Sequence, residues 1–66
     1  MEIIAKARQI ISDELGFNDV KTLMRHLKTK GIVLPKRSLL LPQHQKLIYE
    51  ALFYPEKVKK EWYDKY

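Results

Sequence analysis

The stretch NDVKTLMRHLKTKG, residues 18–31, decides how the rest of the chain is read. Val20, Leu23, Met24 and Leu27 recur at spacings of three and four, the period that gathers apolar side chains on one face of a helix. Lys21, Arg25, Lys28 and, less squarely, Lys30 occupy the other side. Asn18 reads as the N-cap, with Asp19 in the first turn complementing the helix dipole. Gly31 closes the helix, because glycine accepts the left-handed conformation that a helix end requires. The segment therefore predicts an amphipathic helix over about 19–30, which needs other elements to cover its apolar stripe.

Upstream, Ile3, Ile4, Ala7, Ile10, Ile11 and Leu15 follow the same period and predict a helix over 2–15. Gly16 ends it, and Phe17 is placed to fold back on the last turn in a Schellman cap. Downstream, the helical period disappears between Gly31 and Pro42. Ile32–Leu34 and Leu39–Leu41 flank the turn residues Pro35-Lys36-Arg37-Ser38, a pattern that fits a tight hairpin or an extended loop with Leu34 and some of the leucines tucked inward. Pro42 suits the first position of a third helix, about 42–53, with Leu47, Ile48, Ala51 and Leu52 as its stripe. Tyr54-Pro55 breaks that run. A short fourth helix is expected over 55–64, with Val58 and Trp62 one turn apart. The expected fold is mainly α: one domain over 1–66, a small bundle of three to four short helices with an extended loop or tiny hairpin between helices two and three.

The chain has 66 residues and no cysteine. A domain of this size buries only roughly 60% of the surface its unfolded chain exposes, so its core is small. Disulfides and thiolate sites are excluded by composition. No apolar run approaches the roughly 20 residues of a membrane span. The first residues lack the basic start and apolar stretch of a signal peptide. A cytoplasmic protein is expected, monomeric or weakly dimeric, with no membrane partner.

Charge is unevenly distributed. Residues 20–49 contain no Asp or Glu but carry Lys21, Arg25, Lys28, Lys30, Lys36, Arg37 and Lys46. Residues 1–19 have a net charge of −2 and residues 50–66 a net of zero, so the formal +5 of the chain resides in the middle. Such a field attracts polyanions and steers their approach. Lys21, Arg25 and Lys28 stand at i, i+4, i+7 and form one cationic wall, a spacing that costs a few tenths of a kcal/mol per like-charged pair in an isolated helix. A solvated lysine-rich face explains the same pattern without a ligand. Lys36 and Arg37 sit at an exposed tip, where Arg can engage phosphate oxygens bidentately. Gln43, His44 and Gln45, followed by Lys46, surround a helix N-terminus, whose free amides favour phosphate. They are more simply read as ordinary polar residues of a first turn.

Catalysis finds no support. Ser12, Thr22 and Thr29 lie on predicted helices without a histidine–carboxylate pattern, and Ser38 has no accompanying acid. Asp13 and Glu14 are adjacent and diverge on a helix, which suits a solvated face better than an acid–base pair. His26 and His44 lack further ligands at metal-site spacing, so no metal or cofactor is expected. There is no glycine-rich phosphate loop. A non-enzyme is expected.

Phe53, Tyr54, Trp62, Tyr63 and Tyr66 concentrate aromatics near the C-terminus. Trp62 is expected to pack against helices one and three. If Trp62, Tyr63 and Tyr66 are exposed instead, they would anchor a protein partner.

Val20, Leu23, Leu27, Gly31 and Ile32 together resemble the first helix of SAP-type helix–extended-loop–helix modules. Lys46, Leu47, Ile48, Ala51 and Leu52 are similar to the second helix of that family. The resemblance covers about half the chain and implies contact with DNA or RNA backbones through Lys21, Arg25, Lys28, Lys36, Arg37 and Lys46. The connection from Gly31 to Lys46 is longer than usual in that family, and its loop glycine is missing. The same apolar pattern, with Asp13-Glu14-Leu15-Gly16 at a first helix end, also resembles the N-terminal module of bacterial translation initiation factor two. A helix-turn-helix is disfavoured, because Pro42 and Leu39–Leu41 spoil a groove-reading face. The expected function is phosphate-backbone binding of nucleic acid, with Lys21, Arg25, Lys28, Lys36, Arg37, Gln43 and Lys46 as contacts. The alternative is a non-enzymatic adaptor or regulator, of the kind viruses and plasmids carry, docking on an acidic protein through its basic face and Trp62, Tyr63 and Tyr66.

Overall fold

The computed structural model describes residues 3–66. The elements are β1 (Lys6–Ala7), α1 (Arg8–Leu15), α2 (Val20–Thr29), β2 (Leu39–Leu40), α3 (Pro42–Ala51) and a terminal 3-10 turn, Lys60–Tyr63. The chain is mainly helical, with one two-stranded antiparallel ribbon that pairs Lys6 with Leu40 and Ala7 with Leu39. None of the helices among the described residues is long and apolar enough to cross a membrane.

Both glycines end helices as their positions predict. Gly16 and Gly31 have φ of 84° and 76°. At the first end Gly16 N–H reaches the Asp13 carbonyl and Phe17 N–H the Ser12 carbonyl. At the second, Gly31 N–H reaches Lys28 and Ile32 N–H reaches Leu27. These are the paired 5→2 and 6→1 bonds of the Schellman motif. The start of α2 differs from expectation by one residue. Asp19, not Asn18, is the N-cap: its carboxylate accepts from the Thr22 N–H at 2.8 Å and the Thr22 hydroxyl at 2.9 Å. A cap bond reaches the third residue beyond it, and Thr22 offers two donors there.

Three further boundaries are corrected. The first helix begins at Arg8 rather than residue 2, which lies outside the described residues. Residues 3–5 are irregular, Lys6–Ala7 are paired to β2, and Ala7 is extended at φ −72°, ψ 153°. Pairing with the distant strand Leu39–Leu40 overrides the helical period of Ile3, Ile4 and Ala7. Leu39–Leu40 therefore pairs with the N-terminal strand, so residues 32–38 form an extended loop and not a hairpin. The third helix stops at Ala51, and the expected helix over 55–64 is reduced to a turn at Pro55–Val58 and the 3-10 turn.

The core joins every layer. Ile11 and Leu15 of α1, Leu23 and Leu27 of α2, Leu40 of β2, and Ile48 and Tyr49 of α3 meet Val58 and Tyr63. Ile32, Leu34 and Trp62 pack against this cluster from the side. Trp62 is half-buried, as its expected packing role requires.

Candidate functional site

The wall of α2 is built as the helical period dictates. Leu23 and Leu27 are fully buried, while Lys21, Arg25 and Lys28 are exposed on the opposite side. At 1.5 Å per residue the three cations span about 10 Å along the helix axis. His26 lies beside them with its ring 5.0 Å from Phe17. Lys30 follows at the helix end, also exposed.

Lys36 and Arg37 are exposed in the loop between α2 and β2. Their backbone is fastened by Arg8, the first residue of α1. Its guanidinium donates to the carbonyls of Pro35 and Arg37, one on each side of Lys36. The antiparallel register explains this meeting. Ala7 pairs with Leu39, so the chain enters β2 at the end of the ribbon where α1 begins.

The start of α3 lies at the other end of the ribbon, beside Ile4. The α3 terminus itself offers little to an anion. Pro42 has no N–H, and the amides of His44 and Gln45 are bonded to the Leu41 carbonyl at 2.9 and 3.0 Å. Gln43 is exposed. Lys46 donates to the Tyr66 carbonyl at 2.7 Å, which turns it toward the C-terminal segment.

Gln45 has a role that its sequence context does not suggest. It is fully buried; its amide donates to the carbonyls of Ile4 and Leu40, both at 2.9 Å, and its oxygen accepts from the Tyr63 hydroxyl at 2.6 Å. Tyr63 is 1% exposed. Its inclusion among surface aromatics is thereby corrected, because its hydroxyl and ring are both committed inside. Of the three aromatics considered for partner binding, Tyr66 alone is exposed, at 37%.

A second polar group sits at the junction of β1, α1 and α3. Lys6 pairs with Glu14 at 2.9 Å, the only ion pair among the described residues, and Tyr49 donates its hydroxyl to the other Glu14 oxygen. Burial, then the hydrogen bond and charge of Glu14, push the Tyr49 phenol far up. Burial, followed by the Glu14 charge, pushes Tyr63 up to about 12. The two phenols therefore hold elements together and stay protonated near neutral pH.

The exposed cations of α2 and the loop form no ion pair among the described residues. Asp19, the nearest acid in sequence, is occupied as a cap, and its pKa is lowered first by the Thr22 backbone bond and then by the Thr22 hydroxyl; of the cations, Arg25 alone lies near enough to contribute. The open cleft lined by Asp13, Glu14, Pro55, Glu56 and Lys57 has the opposite character, three carboxylates against one lysine. Among the described residues there is no grouping of three or more His, Asp or Glu side chains suited to a metal ion. No protein-family model, curated protein or solved structure matches this chain.

Proposed function

We propose that the protein is a non-catalytic module that binds the phosphate backbone of nucleic acid through α2 and the loop after it. The observation that carries this reading is the set of six exposed cations, Lys21, Arg25, Lys28, Lys30, Lys36 and Arg37, in a segment without acids. Ion pairing spends Lys6, and the Tyr66 carbonyl engages Lys46, but these six have no carboxylate partner among the described residues. A surface of lysine and arginine without a pocket suits phosphates better than bases, so binding is weakly sequence-selective. Lys46 is engaged by the Tyr66 carbonyl and Gln43 carries no charge, so both are secondary to the six free cations.

The test is anisotropy of a labelled nucleic-acid duplex titrated with protein at several salt concentrations. Each neutralised phosphate contributes about 0.9 to the log–log salt slope, so six cations set a ceiling of about 5. A slope of several units supports the proposal, and absence of binding at low salt refutes it. Docking on an acidic protein is the competing reading, but the burial of Tyr63 and the packing of Trp62 deprive it of most of its aromatic anchors. Equal affinity for polyglutamate and for the duplex would favour that reading.

A further inference from the structure

Arg8 lies outside the acid-free segment, yet it is the one polar tether of the basic loop. Among the described residues, the main-chain groups of residues 33–37 make no hydrogen bond apart from the two that the Arg8 side chain donates. Ile32 and Leu34 anchor the loop's entry by packing on the core, and β2 anchors its exit. Between them, only the Arg8 fork fixes the backbone, and it brackets Lys36. A planar guanidinium with two parallel donors suits two carbonyls two residues apart, whereas an ammonium lacks that rigid geometry. We propose that Arg8 is the positioning residue of the interface: by gripping the Pro35 and Arg37 carbonyls it holds the Lys36 and Arg37 side chains outward in a fixed arrangement, reducing the ordering entropy lost when they meet phosphate. This inference rests on the backbone-binding function proposed above.

The test compares wild type, R8K, R8Q, K36A/R37A and R8K/K36A/R37A by anisotropy on the same duplex across salt, with amide hydrogen exchange over residues 35–38. R8K retains the formal charge and loses the fork. Its affinity is expected to fall roughly tenfold, close to the loss in K36A/R37A, with a shallower salt slope. R8Q should match R8K, and R8K should add nothing in the K36A/R37A background. Exchange over 35–38 should accelerate in both Arg8 variants while thermal melting shifts little. Wild-type affinity in R8K overturns the inference and leaves the proposed function standing. Loss in R8Q with retention in R8K also overturns it, because Arg8 would then be a direct phosphate contact. No binding by the wild type overturns the function itself, and the inference with it.

Discussion

Gln43 and Gln45 stand two residues apart in the same first turn, and their surroundings have nothing in common. Gln43 faces solvent, whereas Gln45 satisfies two backbone carbonyls and the Tyr63 hydroxyl inside the core. Removing one partner from a buried hydrogen bond exposes the full desolvation cost of what remains, roughly 1–3 kcal/mol per group. Gln45→Leu should therefore destabilise the fold by about 3 kcal/mol or more, enough to threaten a domain of this size, while Gln43→Ala should stay within about 0.5 kcal/mol. Urea denaturation of the two variants measures both. Tyr63→Phe, which strands the Gln45 oxygen, should cost about 1–3 kcal/mol in the same assay. Nothing in the sequence distinguishes the two glutamines, because the difference arises from where β1 and the C-terminal segment arrive.

At the scale of elements, α2 and α3 were legible because their signals are local. The apolar period, the glycine stops and Pro42 all act within one or two turns. The start of α1 was not, since Ile3, Ile4 and Ala7 fit a helix until β2 is known to pair beside them. Nor was the 3-10 turn at Lys60–Tyr63, because the i, i+4 spacing of Val58 and Trp62 suits an α-helix, whereas a 3-10 turn aligns residues three apart. Of the candidate site, the α2 wall was legible for the same local reason. The fastening of the loop by Arg8 was not, because it follows from the ribbon register. The capping of α2 leads to an acid prediction. Asp19 has a lowered pKa when folded, so its contribution is complete above the unfolded value and lost as pH falls through the folded one. Wild-type stability should therefore decline below about pH 4. Asp19→Asn should flatten that decline, as followed by circular dichroism at fixed urea concentration.

Across the whole molecule, Tyr49 of α3 bonds Glu14 of α1 and packs edge-on against Tyr63 of the C-terminal turn. Tyr49, Tyr54 and Tyr63 are all held above their ordinary values, each chiefly by burial. A raised phenol contributes stability that is whole below the unfolded value and is lost as pH climbs toward the folded one. Unfolding should consequently set in between about pH 10 and 12, with phenolate absorbance rising together with loss of helix. Tyr49→Phe should shift this onset upward relative to its own neutral stability. The molecule measures only 30 × 24 × 19 Å, so an α2 wall of about 10 Å occupies a sizeable part of one side. Fields from exposed charges fade within about 8 Å at physiological salt, which confines the interaction to groups that touch the ligand. The most direct measurement is accordingly the salt slope of duplex binding for wild type against K21A/R25A/K28A. Three lost contacts at about 0.9 each predict a slope shallower by about 2.7 units, with the melting temperature little changed. Parallel lines for the two proteins would show that this face of α2 does not touch phosphate and would contradict the account.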